Sequence, residues 1–444
     1  MAQTEASLLQ EAYLERYTPQ RFLGFYASLQ EELHLLANPA RTIPVSPVPI
    51  LLERRYERVF SDLASMLWRA VGEETFRKRS ALHIPDSLRT ASGRPEPPIA
   101  FDRNRNIGCV DLHLLDGMPR LIEFMVLPPG MVGIYPGLLA RYGEFLEESV
   151  PGCSVRTFLD GADRQHSEAL MQEHIAGSGE VERFAIVDWE PNRQITYGEF
   201  LYIAQGVEKK WGVQGLIADP RELLWKKDRM WVRGLPVDRI LNRLTLVDWL
   251  DHREALGAYT RILKECPQGF VHHPHLWYLG DKASLALLSD SQLLREMKIP
   301  DEDRQALAEL LPPTVRLRDF FDADRGLADV AGLLDRMGAP EEVVLKPLSS
   351  HASKGVVYGP VDTPTVEQLQ EVIRGIDPGE YVAMKLVPPP EILVPRGSGE
   401  LETWRSDIRL FVVNGRFLFA GGRVYLGNFT NQTPCRAFAP LFFV

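Results

Sequence analysis

The chain is expected to be an α/β (α+β) protein, with a helical N-terminal region, a small parallel β-layer of Rossmann type inserted in mid-chain, and β-hairpins on either side of that layer. Three observations predict this. Apolar residues recur every three or four positions through residues 5–78. Phe184-Ala185-Ile186-Val187 carries no charge, as expected of a strand buried on both faces. Asp116-Gly117 and Asn414-Gly415 each sit between apolar runs, a strong hairpin signal.

The length of 444 residues allows several domains or one large composite enzyme. A hydrophobic content of 45% and a charged content of 25% are ordinary for a globular protein. The net charge of −10 argues against a nucleic-acid partner, which wants a basic face, but not against ATP, because local lysines can reverse the field. Cys109, Cys153, Cys266 and Cys435 are scattered without a C-x-x-C pair, which fits a reducing compartment and no structural zinc. The first residues lack a basic and apolar signal pattern, and no apolar run is long enough to span a membrane, so a cytoplasmic location is expected.

In chain order, Pro19 should split residues 5–37 into two helices, and residues 50–78 return to helical spacing. A hairpin follows around Gly117. Pro128-Pro129-Gly130-Met131 reads as a turn that lets backbone approach a ligand, and residues 135–148 as a helix. The mid-chain layer is strand 184–189, helix 196–211 with Thr196 and Glu199 as a capping box, strand 215–219, and strand 237–243. Met230-Trp231-Val232 pairs either with 215–219 or with 223–225. No G-x-G-x-x-G accompanies the layer, so no dinucleotide is assigned. Residues 250–265, 282–297 and 301–337 read as helical, the last broken at Pro312-Pro313. His272-His273-Pro274-His275 is interrupted by proline and reads as loop histidines rather than a metal site. A strand–loop–strand unit (343–358), a helix (363–374), a strand (380–387), a Pro/Gly-rich loop (388–400) and two strands about Asn414-Gly415 complete the reading.

The chemistry centres on two places. Asp111 and Glu123 lie on opposite arms of the first hairpin among apolar neighbours, and two such carboxylates repel unless something positive lies between them. A Mg²⁺ ion would serve, since it takes hard oxygen ligands. The alternative is that one or both face solvent. Downstream, Val343-Val344-Leu345-Lys346-Pro347 runs into the small-residue loop Ser349 to Gly355. This is a strand and flexible loop suited to cover phosphates through backbone N–H groups and a lysine. It is not a Walker loop, and an ordinary surface turn is the other reading.

These motifs, in this order, resemble the circularly permuted ATP-grasp ligases of the glutathionylspermidine synthase type. The resemblance covers roughly residues 100–444. It rests on Asp111 and Glu123-Phe124-Met125, then Gly280-Asp281-Lys282 opening a helix, Lys346-Pro347 with its loop, Tyr381 to Lys385, Asp407 to Val413, and Arg423. It implies an ATP-grasp composite fold. The helical region would be 1–98, the metal hairpin part 99–180, the Rossmann-like substrate layer 181–270, and the nucleotide-binding and catalytic part 271–444. It implies an ATP-dependent carboxylate–amine ligase working through an acyl phosphate, with Mg²⁺ on Asp111 and Glu123. Lys282, Lys346, Ser350, Ser353, Gly355 and Lys385 would contact the nucleotide, and Arg409 and Arg423 the γ-phosphate and the oxyanion. For each arginine the alternative is a surface ion pair. The partners would be a small carboxylate, an amino acid or peptide, and an amine.

Two departures from the pattern stand out. The family asparagine is Met125, a poor Mg²⁺ ligand, and Cys109 replaces the arginine usually found before the aspartate. Asn428 or Asn431 could replace the missing oxygen. A thiol or hydroxyl acceptor, or a degenerate scaffold that binds nucleotide or a partner without turnover, are the alternative readings.

Overall fold

A computed structural model describes residues 4–35, 37, 42–82, 106–156, 171–175, 177, 181–322, 327–348, 354–428 and 436–444. The chain opens with helices Glu5–Arg16 and Pro19–Glu32. The second starts on Pro19, whose missing N–H costs nothing at a first helical position, and Thr18 caps it by accepting from Arg21 N. Strand β1 (Ile50–Leu52) follows, then helices Arg55–Gly72 and Glu74–Leu82. The expected helix over 50–78 therefore begins late. Leu51 and Leu52 instead pair in parallel with the C-terminal strand, because an apolar triplet can close a sheet edge.

Strands β2 (Ile107–Leu115) and β3 (Met118–Met125) form the first hairpin, with Asp116 and Gly117 both at positive φ (52° and 74°). Two successive left-handed residues give the turn whose twist matches its strands. After helix Tyr135–Ser149 come β4 (Arg183–Val187), helix Tyr197–Trp211 and β5 (Gln214–Ala218). Next are β6 (Leu223–Lys226), β7 (Arg229–Val232), β8 (Leu235–Val237) and β9 (Arg239–Asn242). The order β5-β4-β9 is a parallel sheet, and β7 pairs with β6, the second of the two pairings considered. Strand 237–243 divides at Asp238, its first part joining the β6-β7-β8 meander. The Thr196–Glu199 capping box does not form. Thr196 makes no cap bond, and Glu199 turns away to accept from Met131 N (3.0 Å) and Gly133 N (2.8 Å).

Helices Leu246–Asp251, Gly257–Glu265, Lys282–Leu288, Ser291–Glu296 and Asp301–Leu310 follow. The expected helix over 301–337 is replaced in its middle by β10 (Thr314–Arg316), β11 (Phe321–Asp322) and β12 (Leu327–Ala328), before helix Val330–Met337. Pro312-Pro313 ends the first helix, and Thr314-Val315 then finds a strand partner. The second layer is β13 (Val343–Pro347), β14 (Val357–Tyr358) and β15 (Tyr381–Lys385), in the order β10-β15-β13-β14. Helix Val366–Gly375 backs it. Within the loop expected at 388–400, β16 (Glu391–Pro395) pairs with the start of β17 (Leu401–Val413). Hairpin partner β18 (Arg416–Tyr425) and a strand absent from the sequence reading, β19 (Arg436–Phe443), complete the large sheet β1-β19-β18-β17-β2-β3.

The N-terminal helices share the large sheet's core. Phe22 and Leu29 belong to the same cluster as Phe145, Leu146 and Phe442. The parallel sheet and the β13–β15 sheet have separate cores. The composite α/β fold expected from sequence is present. No described helix is long and apolar enough to cross a membrane.

Candidate active site

Register decides the site. Asp111 on β2 lies opposite both Glu123 on β3 and Arg409 on β17, and Asp407 lies opposite Arg423 on β18. Directly opposed residues share a face, and so do residues two apart on one strand, so all five project from one side of the sheet. Arg409 donates from Nε and Nη2 to the two oxygens of Asp111, both at 2.7 Å. Arg423 donates from Nη2 to Asp111 Oδ2 (2.9 Å) and from Nε to Asp407 Oδ1 (2.8 Å). The two aspartates are each 4% exposed, so bidentate pairing is what makes burial tolerable. Burial pushes the Asp111 carboxyl up, but the two guanidinium groups outweigh it and hold it at about 2. Gly421, opposite Arg409, must be glycine, since a Cβ there would lie 2.3 Å from the Tyr135 ring packed beside the arginines.

Glu123 accepts an ion pair from Lys282 Nζ at 3.2 Å. Burial and the neighbouring Asp111 raise its carboxyl, but Lys282 and Lys346 together outweigh them and leave it below the usual range. Lys282 is held by its helix, whose cap Asp281 accepts from Ser284 N (2.9 Å) and Ser284 Oγ (3.1 Å). Burial lifts Asp281 to about 6. Lys346 on β13 reaches across to the hairpin, donating to Ile122 O at 3.2 Å with Met384 Sδ also at 3.2 Å. Burial brings its ammonium down to about 8, against the opposing pull of Glu123.

Glu123, Lys282, Arg409 and Arg423 line one end of a cavity of about 470 Å³. That volume lies in the range of small-molecule sites. Arg436 of β19 joins them, and Arg243, just beyond β9, lies further along the wall. Sequence reasoning gave neither arginine a role. The signal for Arg243 was its place past the carboxyl edge of a parallel strand, where open α/β sheets bind ligands. Arg436 had none, because its strand went unread.

Not every expected residue reaches the site. Lys385, expected against the nucleotide, pairs with Glu342 at 3.4 Å. Strand alternation explains this. Met384 shares its face with Lys346, so Lys385 must point the other way. Gly355 accepts from the Tyr381 hydroxyl (3.2 Å) at the return of the flap. Ser350, Ser353 and Asn431 lie outside the described residues, and Asn428 accepts from Arg405 Nη1 (2.9 Å).

The donor set does not fit a Mg²⁺ held by the hairpin. Asp111, expected as a ligand, has both oxygens committed to arginine, and Met125 faces the cavity with a thioether. Among the described residues no group of three or more His, Cys, Asp or Glu side chains is placed to hold a metal ion. The same residues fit a phosphate or carboxylate well. The bonds above use Nε and one N–H of Nη2 in each guanidinium, leaving the donors of Nη1 and the second N–H of Nη2. Because Asp111 and Asp407 balance Arg409 and Arg423, the paired arginines offer fixed donor geometry more than net charge.

No family model matches the chain, and no curated protein matches it. Among solved structures, a glutathione synthetase-like effector (GSS30) from Globodera pallida, in its apo form, superposes with a TM-score of 0.59 at 11% identity, covering 96% of this chain and 98% of that one. A putative gamma-glutamylcysteine synthetase from Methylobacillus flagellatus KT reaches a TM-score of only 0.36 at 10% identity, over 83% of this chain and 84% of that one, too distant to carry an argument. The first likeness is one of fold, and it is with a glutathione synthetase-like structure, coarser than the glutathionylspermidine synthase type that the sequence resembles.

Proposed function

We propose that the protein is an ATP-dependent ligase of the ATP-grasp kind that joins a small carboxylate to an amine and releases ADP and phosphate. The observation that carries this reading is the pair of guanidinium groups, locked side by side on adjacent strands by buried aspartates and opening on a cavity shared with Lys282 and Glu123. A carboxylate is a poor electrophile. Its oxygen would attack the γ-phosphorus, and the bond to the ADP oxygen would break, leaving an acyl phosphate. The amine nitrogen would then attack the acyl carbon, and the carbon–oxygen bond would break to expel phosphate, with the amine proton passing to phosphate or water.

Both steps develop negative charge on oxygen, and donors already fixed in place stabilise it without reorganising. Arg409 and Arg423 would take the γ-phosphoryl oxygens and then the tetrahedral oxyanion. Lys282, and Lys346 beneath the hairpin, would add charge beside the phosphates. No enzyme nucleophile is required. The hairpin would offer at most Glu123 to the metal of MgATP.

A second reading has its own support. Asp111 saturated by arginine, with Met125 beside it, also suits a scaffold that binds an anion without turnover. ADP release measured over a panel of carboxylates and amines, with ATP affinity measured in parallel by calorimetry, separates the two. Acid- and amine-dependent ADP release supports the ligase. ATP binding with no release under any pair leaves the scaffold, and failure to bind ATP sinks both.

A further inference from the structure

The cavity has two chemically different ends. Where the parallel sheet's core reaches the cavity, the wall is built by Leu244, Trp249 and Leu263, with Arg243 and Val247 beside them in the chain. The polar groups at that end bond to one another. The Tyr259 hydroxyl donates to Asn242 Oδ1 (2.6 Å), Asn242 Nδ2 donates to Leu244 O (2.9 Å), and Trp249 Nε1 donates to Thr260 Oγ1 (3.2 Å). Arg243 apart, what remains there to meet a ligand is largely carbon.

The wall is also rigid. Arg243 Nη1 donates to Pro128 O (2.6 Å) and Pro129 O (2.9 Å), while Glu199 takes the N–H groups of Met131 and Gly133. These clamps hold Met131 at φ 74°, a left-handed conformation a methionine rarely adopts. Such strain persists only where the surroundings over-determine it, and it gathers at ligand sites.

We infer that this end is a side-chain pocket, and that the acid substrate is a small carboxylate bearing a bulky apolar group, branched aliphatic or aromatic, such as a hydrophobic amino acid. The inference rests on the ligase reading for which carboxylate reacts, but not for what binds. The carboxylate meets the arginines, and the apolar group fills the far end. A polar side chain packed against that carbon surface would lose its water without gaining a partner from it.

The test titrates the full-length protein, without nucleotide, with L-leucine, L-phenylalanine, glycine and L-glutamate. Binding is followed by calorimetry and by the fluorescence of Trp249 and Trp277, and ADP release is measured separately with ATP and an amine panel. Leucine and phenylalanine should bind at least ~10-fold more tightly than glycine or glutamate. Val247→Phe, at a half-buried wall position, should remove that advantage by a similar factor while an unchanged melting temperature shows the fold intact. Glycine or glutamate binding as tightly as leucine, or none of the four binding, overturns the inference. ADP release driven by polar acids alone also overturns it and keeps the ligase. Apolar acids that bind, lose affinity in Val247→Phe and never drive ADP release support the pocket and remove the ligase.

Discussion

In the large sheet the charged residues that matter sit in mid-strand, whereas in the parallel β5-β4-β9 sheet they sit only at or past its carboxyl edge. Asp111, Asp407, Arg409 and Arg423 each have strand residues on both sides. Along β4, Phe184 to Val187 are wholly buried and apolar, and the polar residues Asp188, Asp219, Asn242 and Arg243 all come at strand ends. A mid-strand charge buried as deeply as Asp111 or Asp407 cannot reach water, so neighbouring strands must supply its counter-charge in register. A charge at a strand end has loops and a cavity to choose from. The first arrangement ties the site to the stability of the sheet, and the second leaves it freer to vary.

If that contrast holds, the largest stability loss should follow Asp111→Ala. It leaves the Arg409 guanidinium without its carboxylate and Arg423 with Asp407 alone, and removing one partner of a buried pair costs about 3–5 kcal/mol. Denaturant unfolding measures it, and a loss under about 1 kcal/mol would mean the arginines find water. The same network sets an acid limit. The Asp111 carboxyl is held at about 2, below its ordinary 3.8, so its stabilisation is complete above 3.8 and drains away as pH falls towards 2.

Glu123→Gln tests the other side of the contrast, since Glu123 is partly exposed at the cavity mouth. It should lower kcat by ~100-fold or more through loss of preorganised charge, with far less effect on unfolding. Full turnover in this variant would remove the hairpin from the chemistry.

Lys346→Ala should weaken ATP binding roughly 10- to 100-fold, the worth of one charge-assisted hydrogen bond, with the fold intact. Because burial brings its ammonium to about 8, the charged form fades as pH rises through 8, and ATP affinity in the unmutated protein should fall over the same interval. Calorimetry at several pH values reads both, and unchanged affinity in Lys346→Ala takes this lysine out of the site.

A last effect, spread over pH, belongs to Asp188. Burial lifts its carboxyl from 3.8 to about 7, against the pull of Arg243. Between those values the folded protein keeps a proton that the unfolded chain has lost, so stability falls as pH rises through that window, by at most ~1.4 kcal/mol per unit. Asp188→Asn should flatten the slope of melting temperature against pH from 4 to 7. An unaltered slope would mean Asp188 stays ionised.

How far the sequence reaches can be judged from particular residues. The turns at Asp116-Gly117 and Asn414-Gly415 were readable because a left-handed pair is a local requirement that few residues meet. The parallel strand 184–187 was readable from its unbroken apolar run, and the helix beginning at Lys282 through the family motif at Asp281-Lys282, although the helix expected over 282–297 is two. Errors came where a distant partner overrode local preference. Leu51 and Leu52 left a helical pattern to pair with β19, and Glu199 left its own helix cap for the loop at Met131.

By itself, then, the sequence determined the α/β class, the hairpins, and the candidates Asp111, Glu123 and Lys346, because turn chemistry and strand alternation act over a few residues; Lys282, Arg409 and Arg423 became candidates through the family resemblance. Only the tertiary structure decided what those candidates do to one another. Asp111 meets Arg409 and Arg423 across 298 and 312 residues of chain, and that pairing turns an expected metal ligand into an arginine anchor. Lys385 and Lys346 differ in outcome because alternate strand residues face opposite layers. The parallel sheet's edge, with Arg243 and the apolar end of the cavity, takes shape only when strands far apart in sequence are laid side by side.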